Sequence, residues 1–414
     1  MLVADPAQFL HEHGSSKASH VAASLQEPGA RDILYGDAYG WFERVSRSER
    51  DRVWIIGYPN RSKWQPVPER GMDLAAEVRS CWTEVSQRKR GIRGSREKSA
   101  VPSSRTTRAM RRGHPRRTNV ASIGTRFVDL PNGQRLHVAM AGSGRPILFL
   151  HGFPEFWFMW ESALRHFGGT HCAIAPDQRG YNLSSKPSAV RDYRAKPLVE
   201  DLLQLMDVLG HERFVVVAHD WGGAIAWNLA AWHPERVEKL VILNAPHPIT
   251  FLRELRFDPE QVAASAYMTL FRQDKAERVL ASEDWRRLER MTFDQWTANG
   301  GPGDDAHRLA YRTAWSQPGA LTGMLNWYRA SPLHPPEADA PLPDLDPAKF
   351  HVRVPTLVVW GERDVALLPG ILLGLESHVD DLRIQRIADA SHWIVHERPA
   401  AVFAAIDGFL GKTD

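Results

Sequence analysis

Three observations predict an α/β fold built on a mostly parallel sheet flanked by helices and interrupted by one helical insertion. First, short apolar runs alternate with stretches of helical spacing: Pro146 to Leu150, Cys172 to Ala175, Val215 to Ala218, Leu240 to Leu243 and Thr356 to Trp360. Continuous apolar runs of this length suit strands covered on both faces. Second, the alternation stops between about residues 246 and 350, where helical patterns rich in Trp, Tyr and Arg take over, and resumes afterwards. Third, Val215 to Trp227 reads VVVAHDWGGAIAW, a buried strand that turns sharply into a helix with Asp220 at the tip. Small residues at Ala218, Gly222 and Gly223 suit such an elbow, because its tip is strained and its neighbours are crowded.

Each element follows in order. Thr125 to Leu130 and Gln134 to Ala141 alternate and meet at Pro131-Asn132-Gly133, where Asn-Gly predicts the positive φ angles of a tight hairpin. Pro146 to Leu150 leads into His151-Gly152-Phe153-Pro154-Glu155 and an amphipathic helix to about Phe167. The strand from Cys172 ends in Asp177-Gln178-Arg179-Gly180-Tyr181. Arg194 to Leu209 has helical spacing, with Leu198, Leu202, Leu205, Met206 and Leu209 on one stripe. The insertion closes in the Pro-rich stretch Pro332 to Pro347, which cannot be regular helix or central strand. After it come Thr356 to Trp360, the loop Gly361 to Asp364, the strand Leu382 to Ile387, the loop Ser391-His392-Trp393 and a last helix from Arg398 to Leu410.

Composition bounds the rest. With 414 residues and 43% hydrophobic composition the chain has room for a large α/β domain plus an extra piece. No apolar run of about 18 residues occurs, which excludes a spanning helix. Met1 to His13 places Asp5, Pro6, His11, Glu12 and His13 where a secretory signal would be apolar, so a cytoplasmic protein is expected. Cys81 and Cys172 lie far apart, against a disulfide framework and in keeping with a reducing compartment. No Cys or His spacing suggests a metal site: His11-Glu12-His13 reads as tail, and His247 and His334, beside prolines, as loop residues. No cofactor is expected.

The net charge is only +3, yet Ser86 to Arg117 holds twelve Lys and Arg against the single Glu97. Residues 1–120 read as a basic leader, disordered or loosely folded, because Trp41, Trp54, Trp64 and Trp82 fall in no sustained period. An Arg-rich arm has the charge to contact nucleic acid, but no recognition fold accompanies it, and none is expected to bind the core. The remaining organisation is a core of residues 121–245 and 351–414 with a helical cap over 246–350.

The chemistry follows from three strand ends. Asp220, Asp364 and His392 each follow a predicted parallel strand, where open α/β sheets build their sites. A carboxylate at the elbow tip is ionised at neutral pH and can attack carbon without a base of its own. His392, oriented by Asp364, would then deprotonate a water that hydrolyses the resulting ester. Backbone N–H groups of Phe153 and Trp221 are the candidates for the oxyanion hole that this second step needs.

The motifs HGFPE (His151 to Glu155), DQRGY (Asp177 to Tyr181), HDWGG (His219 to Gly223) and NWYR (Asn326 to Arg329), with Asp364 and His392, resemble those of α/β-hydrolase-fold epoxide hydrolases. The resemblance covers about Thr125 to Leu410. It implies an α/β-hydrolase fold, an apolar epoxide and water as reactants, and two cap tyrosines that protonate the epoxide oxygen. Tyr328 and Tyr267 match that role, with Tyr311 as the substitute for the second. It also places Glu155 near the water and the histidine, with His151, Gly152 and Pro154 in support. Haloalkane and haloacid dehalogenases share the Asp nucleophile, and Trp221 suits a halide. Against them, Phe153 stands where the haloalkane enzymes resemble one another in having Asn. A non-catalytic protein that binds a small ligand on this fold is the alternative of another kind.

Overall fold

A computed structural model describes residues 121–337 and 342–411. The leader of residues 1–120, with Cys81 and the basic run Ser86 to Arg117, lies outside the described residues.

Strands β1 (Ile123–Asp129) and β2 (Arg135–Ala141) form the expected antiparallel hairpin. Its turn differs in detail from the Asn-Gly expectation: only Gly133 takes a left-handed φ, 83°. Asn132 acts through its side chain, which accepts from the Gln134 N–H at 3.0 Å and donates to Asp201 Oδ1 at 2.7 Å. After β3 (Pro146–Leu150) come a 3-10 turn, Trp157–Trp160, then α1 (Glu161–Phe167) and β4 (Cys172–Pro176). Helix α2 (Ala195–Val208) buries Leu198, Leu202, Leu205 and Met206, the stripe its periodicity predicts. Then follow β5 (Phe214–His219), α3 (Asp220–Trp232) and β6 (Val237–Leu243). Strand β6 starts three residues before the apolar run does, because Glu238 and Lys239 are half-buried at its entry while their backbone remains in the sheet.

The alternation then gives way to eight helices among the described residues. They are α4 (Pro248–Phe257), α5 (Pro259–Ala264), α6 (Tyr267–Phe271) and α7 (Ala276–Leu280), followed by α8 (Arg286–Met291), α9 (Phe293–Ala298), α10 (Asp305–Trp315) and α11 (Ala320–Ala330). Most are short for local reasons. Proline opens α4 and α5, and Glu283, Asp284 and Trp285 take positive φ in succession before α8. Buried Glu289 is surrounded by Arg312 at 2.7 Å, Arg308 at 3.4 Å and Arg286 at 3.6 Å, so its charge is compensated from two helices. The two ends of the insertion meet: His247, the N-cap of α4, carries its hydrogen on Nε2 and donates to the Phe350 carbonyl at 2.9 Å.

Strands β7 (Thr356–Gly361) and β8 (Leu382–Ile387), with α12 (Ile394–Glu397) and α13 (Pro399–Leu410), complete the fold. The sheet order is β1-β2-β4-β3-β5-β6-β7-β8, parallel from β4 onward and antiparallel only at the first two pairings. Because side chains alternate along a strand, the central strands feed two cores. Leu148, Val216, Ile242 and Val358 face α2, α3 and the insertion, whereas Phe149, Val217, Leu243 and Val359 face α1 and α13. Among the described residues no helix is long and apolar enough to cross a membrane.

Candidate active site

Asp220 sits where β5 becomes α3, with φ of 49°. A non-glycine residue in that region costs about 1–3 kcal/mol and persists only where its surroundings over-determine it. They do so here by close approach. A Cβ on Gly222 would lie 2.5 Å from the carbonyl oxygens of both Leu150 and His151, so only glycine lets α3 pack against the end of β3. A Cβ on Gly152 would collide with the Asp220 carboxyl itself.

The Asp220 carboxylate is held by backbone donors. Oδ1 accepts from the Phe153 N–H at 2.7 Å, and the Trp221 N–H bonds the same carboxyl group. Oδ2 faces His392 Nε2 at 3.6 Å. Burial raises the Asp220 pKa, and the His392 charge and the two N–H donors work against that rise. The loop carrying these donors is itself braced. Neutral His151 faces the Gly152 carbonyl with Nδ1 and accepts the Gln178 N–H at Nε2, while the Pro154 carbonyl accepts the Trp315 indole at 2.6 Å.

On the far side of the imidazole, His392 Nδ1 lies 2.8 Å from Asp364 Oδ2. Asp364 is fixed on both oxygens: Oδ1 accepts the N–H groups of Ala366 and Leu367 at 2.9 Å, and Oδ2 accepts the Asn244 amide at 2.8 Å. Burial alone would raise the Asp364 pKa, but His392 and these donors bring it below the usual carboxylate range. For His392 the balance runs the other way. Burial disfavours its charge, yet Asp364, then Asp220 and Glu155, push it up to about 9.

Above the acid, helix α11 places Tyr328 edge-on to the rings of Trp221 (4.9 Å), Phe271 (4.9 Å) and Phe153 (5.2 Å). Tyr267 on α6 stands 6.1 Å from Tyr328, ring to ring. The Tyr328 phenol is pushed well above its ordinary pKa, first by burial and then by Tyr267 and Asp220. Tyr311 lies elsewhere: fully buried on α10, its hydroxyl donates to Glu155 Oε1 at 2.8 Å.

The residues singled out from sequence therefore converge: Asp220, Asp364, His392, Phe153, Trp221, Tyr328, Tyr267 and Glu155. Two others escaped, Asn244 and His396, while His219 stood in HDWGG without a role of its own. Asn244, with φ of 38°, links the ends of β6 and β7 by accepting the Gly361 N–H at 2.8 Å while holding Asp364. Its only signal was a polar residue closing a buried apolar run. His219 Nε2 donates to the His392 carbonyl at 2.8 Å, and His396 Nε2 lies 2.5 Å from Glu155 Oε1. Neither contact leaves a trace in spacing.

The family described as alpha/beta hydrolase fold matches residues 145–399. The chain is 38% identical to the AB hydrolase superfamily protein YfhM of Bacillus subtilis (strain 168), over 67% of this chain and 95% of that one. It is 36% identical to Epoxide hydrolase 2 of Caenorhabditis elegans, over 69% and 80%. A mutant of an epoxide hydrolase from Bacillus megaterium, solved with its product (R)-3-[1]naphthyloxy-propane-1,2-diol, superposes with a TM-score of 0.63. It is 32% identical, over 69% of this chain and all of the other. The chain belongs to the α/β-hydrolase-fold family and stands among its epoxide-hydrolase relatives.

Proposed function

We propose that this protein is an epoxide hydrolase that converts an epoxide to a vicinal diol through an ester on Asp220. One juxtaposition carries the reading: a carboxylate whose Oδ1 rests on the Phe153 N–H lies near Tyr328, which has Tyr267 beside it, and within 3.6 Å of His392. Ring opening makes an alkoxide, a poor leaving group, and phenols above the acid can hydrogen-bond and protonate it as the C–O bond breaks. In this scheme Asp220 Oδ2 attacks the epoxide carbon and Oδ1 becomes the ester carbonyl oxygen. His392, held by Asp364, then takes a proton from water. The water adds to the Asp220 carbonyl carbon and the negative charge forms on Oδ1, which accepts the Phe153 N–H, with the Trp221 N–H on the same carboxyl group. Collapse then breaks the Cγ–Oδ2 bond, and the diol leaves with Oδ2 and the proton that His392 took from water. Glu155 supports the histidine from below, and His151, Gly152 and Pro154 hold the donor loop. Tyr267 is the second cap phenol in this reading, because the Tyr311 hydroxyl is engaged on Glu155.

The aromatic surfaces of Phe153, Trp221, Phe271 and Tyr328 around the acid favour an epoxide bearing an aryl group, in keeping with the naphthyl diol held by the Bacillus megaterium relative. The reading divides the chain into a core of residues 121–245 and 351–414 and a cap of 246–350, with no cofactor or metal.

The test offers purified protein styrene oxide beside chloro- and fluoroalkyl compounds and measures diol and halide together. Diol from the epoxide without halide release is expected. Halide release with no diol would transfer the same carboxylate to dehalogenation, and neither product would leave a binding protein. A single turnover in 18O water should place the label in Asp220 before it appears in diol.

A further inference from the structure

Below the Asp220–His392 pair lies a second cluster of buried polar groups, drawn from four parts of the chain. Glu155 directs Oε1 at two donors, the Tyr311 hydroxyl at 2.8 Å and His396 Nε2 at 2.5 Å, and its Oε2 faces His219 Nδ1 at 3.6 Å. His219 brings no proton to that oxygen. Its single hydrogen is committed at Nε2 to the His392 carbonyl, and burial, followed by the charge of His392, holds its pKa down to about 3. Tyr311 is a neutral donor. Burial would keep Glu155 in its acid form, yet its carboxyl lies below the ordinary range because His396 above all, with the Tyr311 hydroxyl donating as well, outweighs burial.

The imidazole of His396 is held for this contact. Its ring stacks on Trp296 of α9 at 4.2 Å. The next residue, Glu397, anchors the turn by accepting the Ser391 N–H at 2.7 Å, the Ser391 hydroxyl at 2.6 Å and the Asn299 amide at 2.9 Å. Glu397 is therefore turned away from Glu155. The ionisable groups that the Glu155 charge reaches are His151, Tyr311, His219, Asp220, His396 and His392, and for His392 it is one of three carboxylates that favour the charged ring.

We infer that His396 is a positioning residue for ester hydrolysis: the charge it sets against Glu155 Oε1, together with its hydrogen bond there, keeps that buried carboxylate ionised, and the carboxylate in turn sustains the basicity of His392. The inference rests on the reading of His392 as the hydrolytic base. His396 touches no reacting atom and acts only through Glu155.

The test reads the pH dependence of ester hydrolysis, followed by single turnover with ester formed beforehand, in the wild type and in His396→Gln, Glu155→Gln and the double variant. Glutamine can still donate to Glu155 but carries no charge. If His396 keeps Glu155 ionised, its replacement lets the carboxyl take up a proton, and His392 loses one of the charges that raise it. The acid limb then moves to lower pH by on the order of one pH unit. Glu155→Gln and the double variant should move it by the same amount, with no further change on combination. An acid limb left at the wild-type position in His396→Gln, or moved upward because Glu155 stays charged without its imidazole, overturns the inference. Should His396→Gln fail to fold, the double variant, which has no carboxylate to compensate, should recover a cooperative thermal transition, and failure to recover it counts equally against the inference. A wild-type protein that makes no diol sinks the functional reading instead.

Discussion

Replacing Asp220 with Asn should lower the pKa of His392 by about one to two units, and the structure sets the scale. The nitrogen and oxygen stand 3.6 Å apart, and His392 is pushed up to about 9 with Asp220 among the causes. Unit charges about 4 Å apart interact by roughly 4 kcal/mol at an effective dielectric of about 20, equivalent to about 3 pK units. Asp364 remains at 2.8 Å and Glu155 remains below, so the imidazole should settle between its ordinary value and about 9. The amide is isosteric with the acid and uncharged, as an alkyl ester is, so this variant reports the histidine as the covalent intermediate would meet it. Histidine ring NMR across pH, with mass spectrometry confirming that the amide is intact, measures the change directly. Kinetics should agree. Carboxylate attack tolerates a protonated His392, whereas hydrolysis needs it neutral, so ester breakdown should accelerate as pH rises through the lowered pKa. Forming the ester thus converts a charged histidine into a base at the step that uses one. If His392 titrates near 9 in both proteins, this coupling is wrong.

Tyr328→Phe should slow ring opening by about 100-fold or more while leaving ester hydrolysis close to its original rate, which single-turnover experiments separate. Tyr267→Phe should act on the same step, but Tyr311→Phe should not. Its loss is a buried hydrogen bond to a carboxylate, worth about 1.5–3 kcal/mol in a thermal melt. Asn244→Ala removes a donor from Asp364 and an acceptor from the Gly361 N–H, so stability should fall by about 1–3 kcal/mol and hydrolysis should weaken more than ring opening.

How much of this was legible in the chain depends on whether the signal was local. The elbow was, because a strand, a strained tip and glycines at contact distance must be adjacent in sequence. The strand before Asp364 was visible as a buried apolar run and the one before His392 only as the alternating Leu382 to Ile387, and their order fixed which residue could meet which. Asn244 was not, since its bond to Asp364 spans 120 residues and no periodicity encodes a polar side chain meeting a distant acid. Tyr311 and Tyr267 could not be told apart: both sit in aromatic helical surroundings, and only packing sends one hydroxyl to Glu155 and sets the other beside Tyr328. Asn132 shows the same limit in a turn, where dipeptide preference identified the hairpin but not that the asparagine would work through its amide.

The insertion leaves after β6 and returns before β7, neighbouring parallel strands, and His247 ties departure to return at Phe350. The insertion thus leaves and rejoins the sheet at one place, and its further ties to the core are side-chain contacts. Helices that only roof the chamber can be lengthened, exchanged or recoloured with other aromatics, whereas Trp315, Tyr311 and Trp296, which hold Pro154, Glu155 and His396, bind the ceiling to the floor on which bonds are broken.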